Sequence, residues 1–445
     1  MRSIFVFRRD LRLEDNTGLN KALNEGEVLP IFILDPRQLE GPYFTKKAFQ
    51  FMVTSLRELD AELRKRGSKL NLYRGKPENV LERLLQDFDT VHVNGDYTPF
   101  SIERDKKIRV ITERVGKFFF SHDDYMLNPP EKVRKQDGRP YSVFTPYYNN
   151  AKGYDIRRPE TEKGTFLKDE DSDDINKIEI EFDEDVFKKG GRDEALVILK
   201  DANGFLNYEN DRDLPEKDGT TGLSAHNKFG TVSIREVYHK FVDGLGKEHA
   251  LVRQLYWRDF FMQLAYHNPH VFGESFHKRF DGIRWRQDHE KFSAWCEGKT
   301  GFPIVDAGMR QLNTTGYMHN RLRMIVASFL TKDLKIDWRD GERYFAQKLL
   351  DYDPCVNNGS WQWAASTGAD AQPYFRIFNP WRQQKRFDDS CRYIKKWVPE
   401  LQDLSPSEIH ALEHDTPDDI GYPTPIVDHK EESITAKEMF KEVKR

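Results

Sequence analysis

The chain has 445 residues, of which 38% are hydrophobic and 32% charged, and its formal net charge is −4. These proportions fit a polar globular protein of two or three domains and exclude a fibrous repeat or wholesale disorder. The longest early apolar run, residues 28–34, is interrupted by Pro30 and is far shorter than the roughly 20 residues of a membrane span.

The opening MRSIFVFRRD lacks a signal-peptide layout, because its apolar strip meets Arg8, Arg9 and Asp10 at once. Cys296, Cys355 and Cys391 form no CxxC pair and are odd in number, so neither a disulfide framework nor a zinc site is expected and a reducing cytosolic compartment is favoured. The net charge is unevenly spread. Residues 169–185 hold ten acids against the single base Lys177, which leaves 69 bases and 64 acids in the remainder. The acidic run reads as a solvated loop, and the rest of the chain keeps enough positive charge for a basic face that attracts phosphates.

From the N-terminus, β-branched and aromatic strips at 4–7, 28–34, 69–73, 90–93 and 117–120 alternate with helical patterns. The clearest helix spans 46–66, with Phe49, Met52, Val53, Leu56, Leu59 and Leu63 on one face and Gly67 as its stop. Strand–helix alternation predicts a doubly wound parallel sheet over residues 1–125. No GxGxxG follows the first strand; the sequence there is FRRDLRLEDN. Residues 126–195, rich in proline and then in acids, read as a connector that is either a linker or a wrap over the surface. From 196 to 445 the pattern is helical, as in 233–242, 251–266 and 320–330, so the fold class is α/β followed by a mainly α domain. All eight tryptophans lie at or beyond Trp257, which also separates the two parts.

The densest chemical constellation is DYDPCVNNGSWQW at 351–363. Asp351 and Asp353 resemble a magnesium pair only superficially, since such sites lean on substrate phosphate and no P-loop is present; no metal is expected. The pair can instead accept hydrogen bonds from a ribose or ring imide, and Asn357 can face a redox ring without imposing charge. DGTTGLS at 218–224 offers hydroxyls and open backbone suited to a diphosphate, although a turn with a helix cap is the commoner use of such a segment. QLYWRDFF at 254–261 and NRLRM at 320–324 interleave aromatics and arginines, as base stacking with phosphate neutralisation requires; in either stretch alone, core packing with solvated arginines explains them as well.

Together with TTGLS, WRDFF, GKTGFPIVDAGMRQLNTTGYMHNRLRM, IDWRDGERYFA and NNGSWQWAASTGADAQPYFRIFNP, these segments resemble the photolyase/cryptochrome flavoproteins. The resemblance is strongest to the class I cyclobutane pyrimidine dimer DNA photolyases, and it runs from about residue 2 to about residue 430. It implies a lyase that repairs UV-damaged DNA. Light excites reduced FAD, an electron passes to a flipped-out dimer, the cyclobutane ring opens and the electron returns. The resemblance gives FAD to Tyr208, the loop Thr220, Thr221, Gly222, Leu223 and Ser224, and to Gln254, Arg258 and Asn320. It adds Arg323, Asp351, Tyr352, Asp353 and Asn357, with Arg323 and Asp351 as an ion pair beside the ring and Asn357 facing flavin N5. Asn357 is the photolyase choice, where plant cryptochromes carry Asp and insect cryptochromes Cys. Trp361, Trp338 and Trp285 match the electron-transfer chain that reduces oxidised FAD. Gln254, Trp257, Arg258, Asn320, Arg321, Met324 and Trp363 match the lesion and DNA contacts, with Arg212 a weaker match.

One position departs from the pattern. Gln254 stands where class I enzymes carry Glu, and (6-4) photolyases and animal cryptochromes carry Gln; Met318 and Asn320, in place of pocket histidines, argue for dimer repair over (6-4) repair. A blue-light cryptochrome without repair activity is the other alternative, disfavoured by Asn357 and by a chain that ends 65 residues after Pro380. For an antenna in the first domain, the resemblance places 8-hydroxy-5-deazaflavin ahead of FMN and methenyltetrahydrofolate, because Phe100 and Ser101 replace the Asn-Glu pair of the folate binders. A cytoplasmic, nucleoid-associated monomer without an obligate protein partner or membrane contact is expected.

Overall fold

The computed structural model describes residues 1–217, 219–414 and 416–443; Asp218, the first residue of the DGTTGLS reading, lies outside them. The chain forms two compact units, one of Met1–Glu184, Lys188–Leu206 and Thr221–Pro269, the other of Asp185–Phe187, Asn207–Thr220 and His270–Arg445.

The first unit is built on five parallel strands, β1 (Arg2–Phe7), β2 (Glu27–Leu34), β3 (Asn71–Arg74), β4 (Thr90–Asn94) and β5 (Phe118–His122), in the order β3-β2-β1-β4-β5. β1 and β2 are buried along almost their whole length, which is why they read as continuous apolar runs rather than as alternation. Helices between the strands cover both faces. The helix Lys46–Lys65 buries Val53, Leu56, Leu59 and Leu63 as its periodicity requires, with Phe51 deeper than Phe49 or Met52. It ends before Gly67, whose φ of +80° is the left-handed conformation such stops use.

The strand order reverses between β1 and β4, the position at which doubly wound sheets open a crevice. Here FRRDLRLEDN fills that ground with an ionic lattice. Asn94, the last residue of β4, donates to Asp10 at 2.6 Å and Asn16 at 2.7 Å. Arg12 meets Asp124 at 2.6 Å, and Arg235 bridges Asp15 at 2.7 Å and Asp124 at 2.6 Å. Burial would raise the Asp124 carboxyl, but Arg12 and Arg235 outweigh it and hold it well below the usual carboxylate range. Buried charges persist only when paired in this way, so the motif's charges are structural in this unit.

The connector contains a helix, Phe144–Ala151, and then wraps the sheet edge. Leu72 of β3 exchanges backbone hydrogen bonds with Asp173, at 3.3 and 3.0 Å. The acidic run is not simply solvated: Tyr73 donates to Asp169, and Lys46, Lys47, Arg64 and Arg74 pair with Glu181, Asp183, Asp174 and Asp173. It closes the open edge of β3 and neutralises that rim.

In the second unit the described residues form helices and no strand. Trp295, Trp338, Trp361 and Trp381 are buried in one core with Phe302, Phe329 and Phe345. The helix Asn320–Ser328 continues as a π-helical turn, Phe329–Asp333, where a uniform helix was expected through residue 330. That turn carries Lys332, fully buried, whose ammonium reaches the Ala365 carbonyl at 2.9 Å and the Ser366 hydroxyl at 3.0 Å. The end of the helix Pro354–Ala365 thereby gains a donor for a carbonyl that has none within the helix. No helix of the described residues is long and apolar enough to cross a membrane.

Candidate functional site

In the second unit, the 351–363 motif and the NRLRM helix meet through the ion pair of Asp351 with Arg323. Asp353 starts the helix Pro354–Ala365 by accepting from Val356 N–H at 3.0 Å, and Pro354 occupies the first helical turn, where its missing N–H costs nothing. Asn357, Trp361 and Trp363 follow on that helix. Asn357 is buried, and its amide donates to the Glu342 carbonyl at 3.2 Å. Asn358 donates to Glu342 Oε1 at 3.3 Å and to the Val271 carbonyl at 2.9 Å. Burial pushes the Glu342 carboxyl up to about 7. Sequence reading passed over Glu342; its only signal was its place inside IDWRDGERYFA.

Arg323 donates to Asp351 through one Nη at 2.9 and 3.2 Å and through Nε to the Met318 carbonyl at 2.8 Å. Burial opposes the guanidinium charge, and the Asp351 carboxylate outweighs that opposition and keeps the Arg323 pKa above its ordinary value. The helix that presents Arg323 begins at His319, which accepts from Arg321 N–H at 3.2 Å. Burial holds His319 neutral, with its pKa pushed down to about 4. Asn320 and Met324 lie one turn apart on this helix, Asn320 exposed and Met324 half-buried. Arg321 pairs with Asp213 at 2.7 Å and stacks over Phe387 at 4.2 Å. Tyr208 is buried, which raises its hydroxyl to about 12, with Arg212 at 6.0 Å from its ring. Thr220 and Tyr352 are half-buried in the same unit.

Among the described residues, several buried polar atoms of this unit have no hydrogen-bond partner, including Arg212 Nε, Arg321 Nε, His319 Nε2 and Gln383 Oε1. Such atoms are costly to bury unmet; Arg212 Nε and Arg321 Nε are donors that fit an anionic partner, whereas Gln383 Oε1 is an acceptor.

Trp361 and Trp338 are buried in one core and Trp285 packs against it half-exposed. Gly341, in the helix Trp338–Lys348, lies directly against the Trp361 ring: a methyl there would overlap its six-membered ring and lie 2.5 Å from Leu330 Cδ2. Trp285 meets Phe440 edge-on at 6.1 Å. Trp363 is half-buried, and its carbonyl accepts from Gln372 N–H at 3.2 Å.

The first unit holds the remaining predicted positions. Gly222 has φ +64°, which places the loop backbone in the left-handed region before the short helix Ser224–Phe229. Thr221 Oγ1 accepts from Leu223 N–H at 3.2 Å, so the loop does use a side-chain turn, and Ser224 is exposed. On the helix Ala250–His267, Gln254, Trp257 and Arg258 are half-buried. Arg258 donates to the Tyr125 carbonyl at 2.8 Å and lies 4.2 Å over that ring.

A doubly wound parallel sheet in one unit and, in the other, helices that carry a carboxylate-held arginine, a buried amide and a tryptophan-rich core make this an α/β-plus-α two-domain protein. Residues 3–163 match the family described as DNA photolyase and residues 251–442 the FAD binding domain of DNA photolyase. The chain belongs to the DNA photolyase family. It is 37% identical to the deoxyribodipyrimidine photo-lyase of Alkalihalophilus pseudofirmus, over 98% of this chain and 97% of that protein. It is 35% identical to that of Escherichia coli, over 96% of each. Among solved structures, an archaeal photolyase from Sulfolobus tokodaii with two FAD molecules superposes with TM-score 0.90 at 48% identity, covering 99% of this chain and 100% of that one. A class III photolyase from Agrobacterium tumefaciens gives 0.91 at 35% identity, over 100% and 98%. A cryptochrome from Synechocystis is more distant, 0.88 at 27% identity, over 99% of each.

Proposed function

We propose that this protein repairs cyclobutane pyrimidine dimers in DNA under light, with FAD as its working cofactor. The observation that carries the reading is Asn357: a buried, neutral amide anchored on the Glu342 carbonyl, on the helix that also bears Trp361 and beside which Arg323 and Asp351 form an ion pair. A neutral group there is compatible with a reduced, anionic ring, whereas an acid would oppose it. Arg323, Asp351, Asp353, Tyr352, Asn320 and Tyr208 would hold the cofactor in the second unit. Thr220, Thr221, Gly222, Leu223 and Ser224 are assigned its diphosphate, and Gln254 and Arg258 complete the set by resemblance. The chemistry of the bound flavin is a light-driven one-electron transfer to the dimer and back. The protein's own part is to orient, to exclude water and to hold the arginine charge in place.

Trp257, Gln254, Met324, Asn320 and Trp363 are assigned to the lesion, and Arg258, Arg321 and Arg212 to phosphates. The orphaned donors of Arg212 and Arg321 support this; the Asp213 partner of Arg321 would have to share it. Trp257→Ala is expected to weaken binding of a dimer-containing oligonucleotide by about 1–3 kcal/mol, the range of base–aromatic stacking. Equal affinities in a fluorescence titration of the two proteins would remove Trp257 from the lesion. Trp285→Phe is expected to slow photoreduction of oxidised FAD while dark DNA binding stays unchanged, as followed by flavin absorbance under blue light. Photoreduction at the parent rate would exclude the Trp361–Trp338–Trp285 chain.

The proposed division of labour gives 1–125 the antenna, 126–195 the connection and 196–445 the FAD and lesion chemistry. For the antenna, 8-hydroxy-5-deazaflavin remains a candidate, but the two FAD molecules named for the Sulfolobus protein, at 48% identity, favour a second flavin. Chromatography of the chromophores released from the purified protein separates the two. The test of the whole reading is repair of a thymine-dimer oligonucleotide in light with a dark control, run beside a (6-4) lesion because Gln254 departs from the dimer-specific pattern. Repair of neither lesion would leave the cryptochrome alternative. A cytoplasmic, nucleoid-associated monomer is the proposed cellular form.

A further inference from the structure

The connector segment, which sequence reading left without a task, supplies a ring that lies flat on the proposed lesion tryptophan. Phe144 opens the helix Phe144–Ala151, and its ring centroid is 3.6 Å from that of Trp257, with the planes 7° apart. Both residues belong to the first unit. Offset stacking usually sets centroids further apart than this, and here the indole and phenyl faces are in full contact. Phe144 is itself held. It is buried at 1% exposure, stacks on Tyr148 at 5.8 Å, meets Phe260 edge-on at 5.6 Å, and has the Arg253 guanidinium 5.3 Å from its ring. Trp257 has fewer constraints of its own: it is half-buried, with Phe260 edge-on and Phe261 tilted, each at 5.7 Å.

We infer that Phe144 is a positioning residue for lesion recognition: it occupies one face of the Trp257 indole, fixes the plane of the ring, and leaves the opposite face as the only one on which a flipped-out pyrimidine dimer can stack. The inference rests on the assignment of Trp257 to the lesion. Its physical content is preorganisation. An indole on a partly exposed helix position has two χ angles to freeze on binding, and a flat aromatic neighbour freezes them beforehand, so less of the stacking energy is lost in ordering the ring. The covered face also makes recognition one-sided. An intercalating mode, with a base on each side of Trp257, is sterically closed.

The test compares Phe144→Ala, Phe144→Leu and Phe144→Tyr in the full-length holoprotein, with Trp257→Ala as reference. Binding is measured to one duplex with and without a single thymine dimer. Phe144→Ala is expected to lose roughly 3- to 10-fold in affinity for the damaged duplex, the value of one aromatic pair, and nothing for the undamaged one. Phe144→Leu, which keeps volume but not the flat face, is expected to lose most of this, and Phe144→Tyr to restore it. Repair per bound dimer at saturating substrate is expected to stay at the parent level, and the near-ultraviolet circular dichroism of the stacked indole to diminish in the Ala and Leu variants. If Phe144→Ala does not fold, the Leu and Tyr pair carries the comparison. A Leu variant that binds damaged DNA as tightly as the parent, while Trp257→Ala does not, overturns the positioning role and leaves the lesion assignment standing. If Trp257→Ala and the Phe144 variants all bind as the parent does, the lesion assignment itself has failed.

Discussion

Replacing Asp351 by Asn is expected to cost this protein about 2–4 kcal/mol of stability and most of its bound flavin. Asp351 is 5% exposed and Arg323 26% exposed as side chains, with 2.9 Å between them. Removing one member of such a pair leaves the other buried without its counter-charge, and that cost, rather than the net value of the pair, is what a single substitution measures. The usual figure of roughly 3–5 kcal/mol is reduced because a quarter of the arginine remains in water. Arg323 still donates through Nε to the Met318 carbonyl, so its helix should persist. The variant should therefore fold but melt several degrees earlier, with a lower ratio of flavin to protein absorbance after purification. Retention of both the melting temperature and the full flavin content would show that the pair is incidental.

Gly341→Val should be the more damaging of two substitutions at a position where no chemistry takes place, and Gly341→Ala should already be severe. Glycine in a helix normally costs up to about 1 kcal/mol relative to alanine, so alanine would ordinarily stabilise. Here the added methyl has no room. It would meet the Trp361 ring and Leu330 Cδ2, both immobile in a buried core. Overpacking of this kind costs about 1–3 kcal/mol, and the relief available is displacement of Trp361. Both variants are thus expected to lower the melting temperature and to slow flavin photoreduction together, since the indole that moves is the first of the proposed electron chain. A melting temperature raised by alanine, as helix propensity alone would give, refutes the close packing of Gly341 on Trp361.

Much of this is legible in the sequence. The five strands coincide with β-branched and aromatic strips, and β1 and β2 show as short continuous apolar runs because they are buried, whereas the edge strand β5 is mostly exposed. The helix at 46–65 and its stop at Gly67 follow from a 3.6-residue period and a left-handed cap. Asp353 as a helix start with Pro354 behind it is likewise a local signal, written in adjacent residues. The motifs of the second half were long enough to point to the family, which the comparisons then established.

What escaped sequence reading has a common cause. The charges of FRRDLRLEDN suggested nothing specific until Arg12, Arg235, Asp15 and Asp124 were seen to neutralise one another across up to 220 residues of chain. The acidic run is largely exposed, as expected, but its pairing with Lys46, Lys47, Arg64 and Arg74 was not legible because those partners are more than 90 residues away. Glu342, Gly341 and Phe144 carried no periodic or spacing signal, since each acts on a residue that only folding brings near. Composition, period and motif therefore determined the class of the domains, the family and the list of residues worth testing. Only the tertiary structure decided which of those residues are held by partners, because hydrogen bonds, ion pairs and ring stacking depend on distances of a few ångströms that the order of residues along the chain does not encode locally.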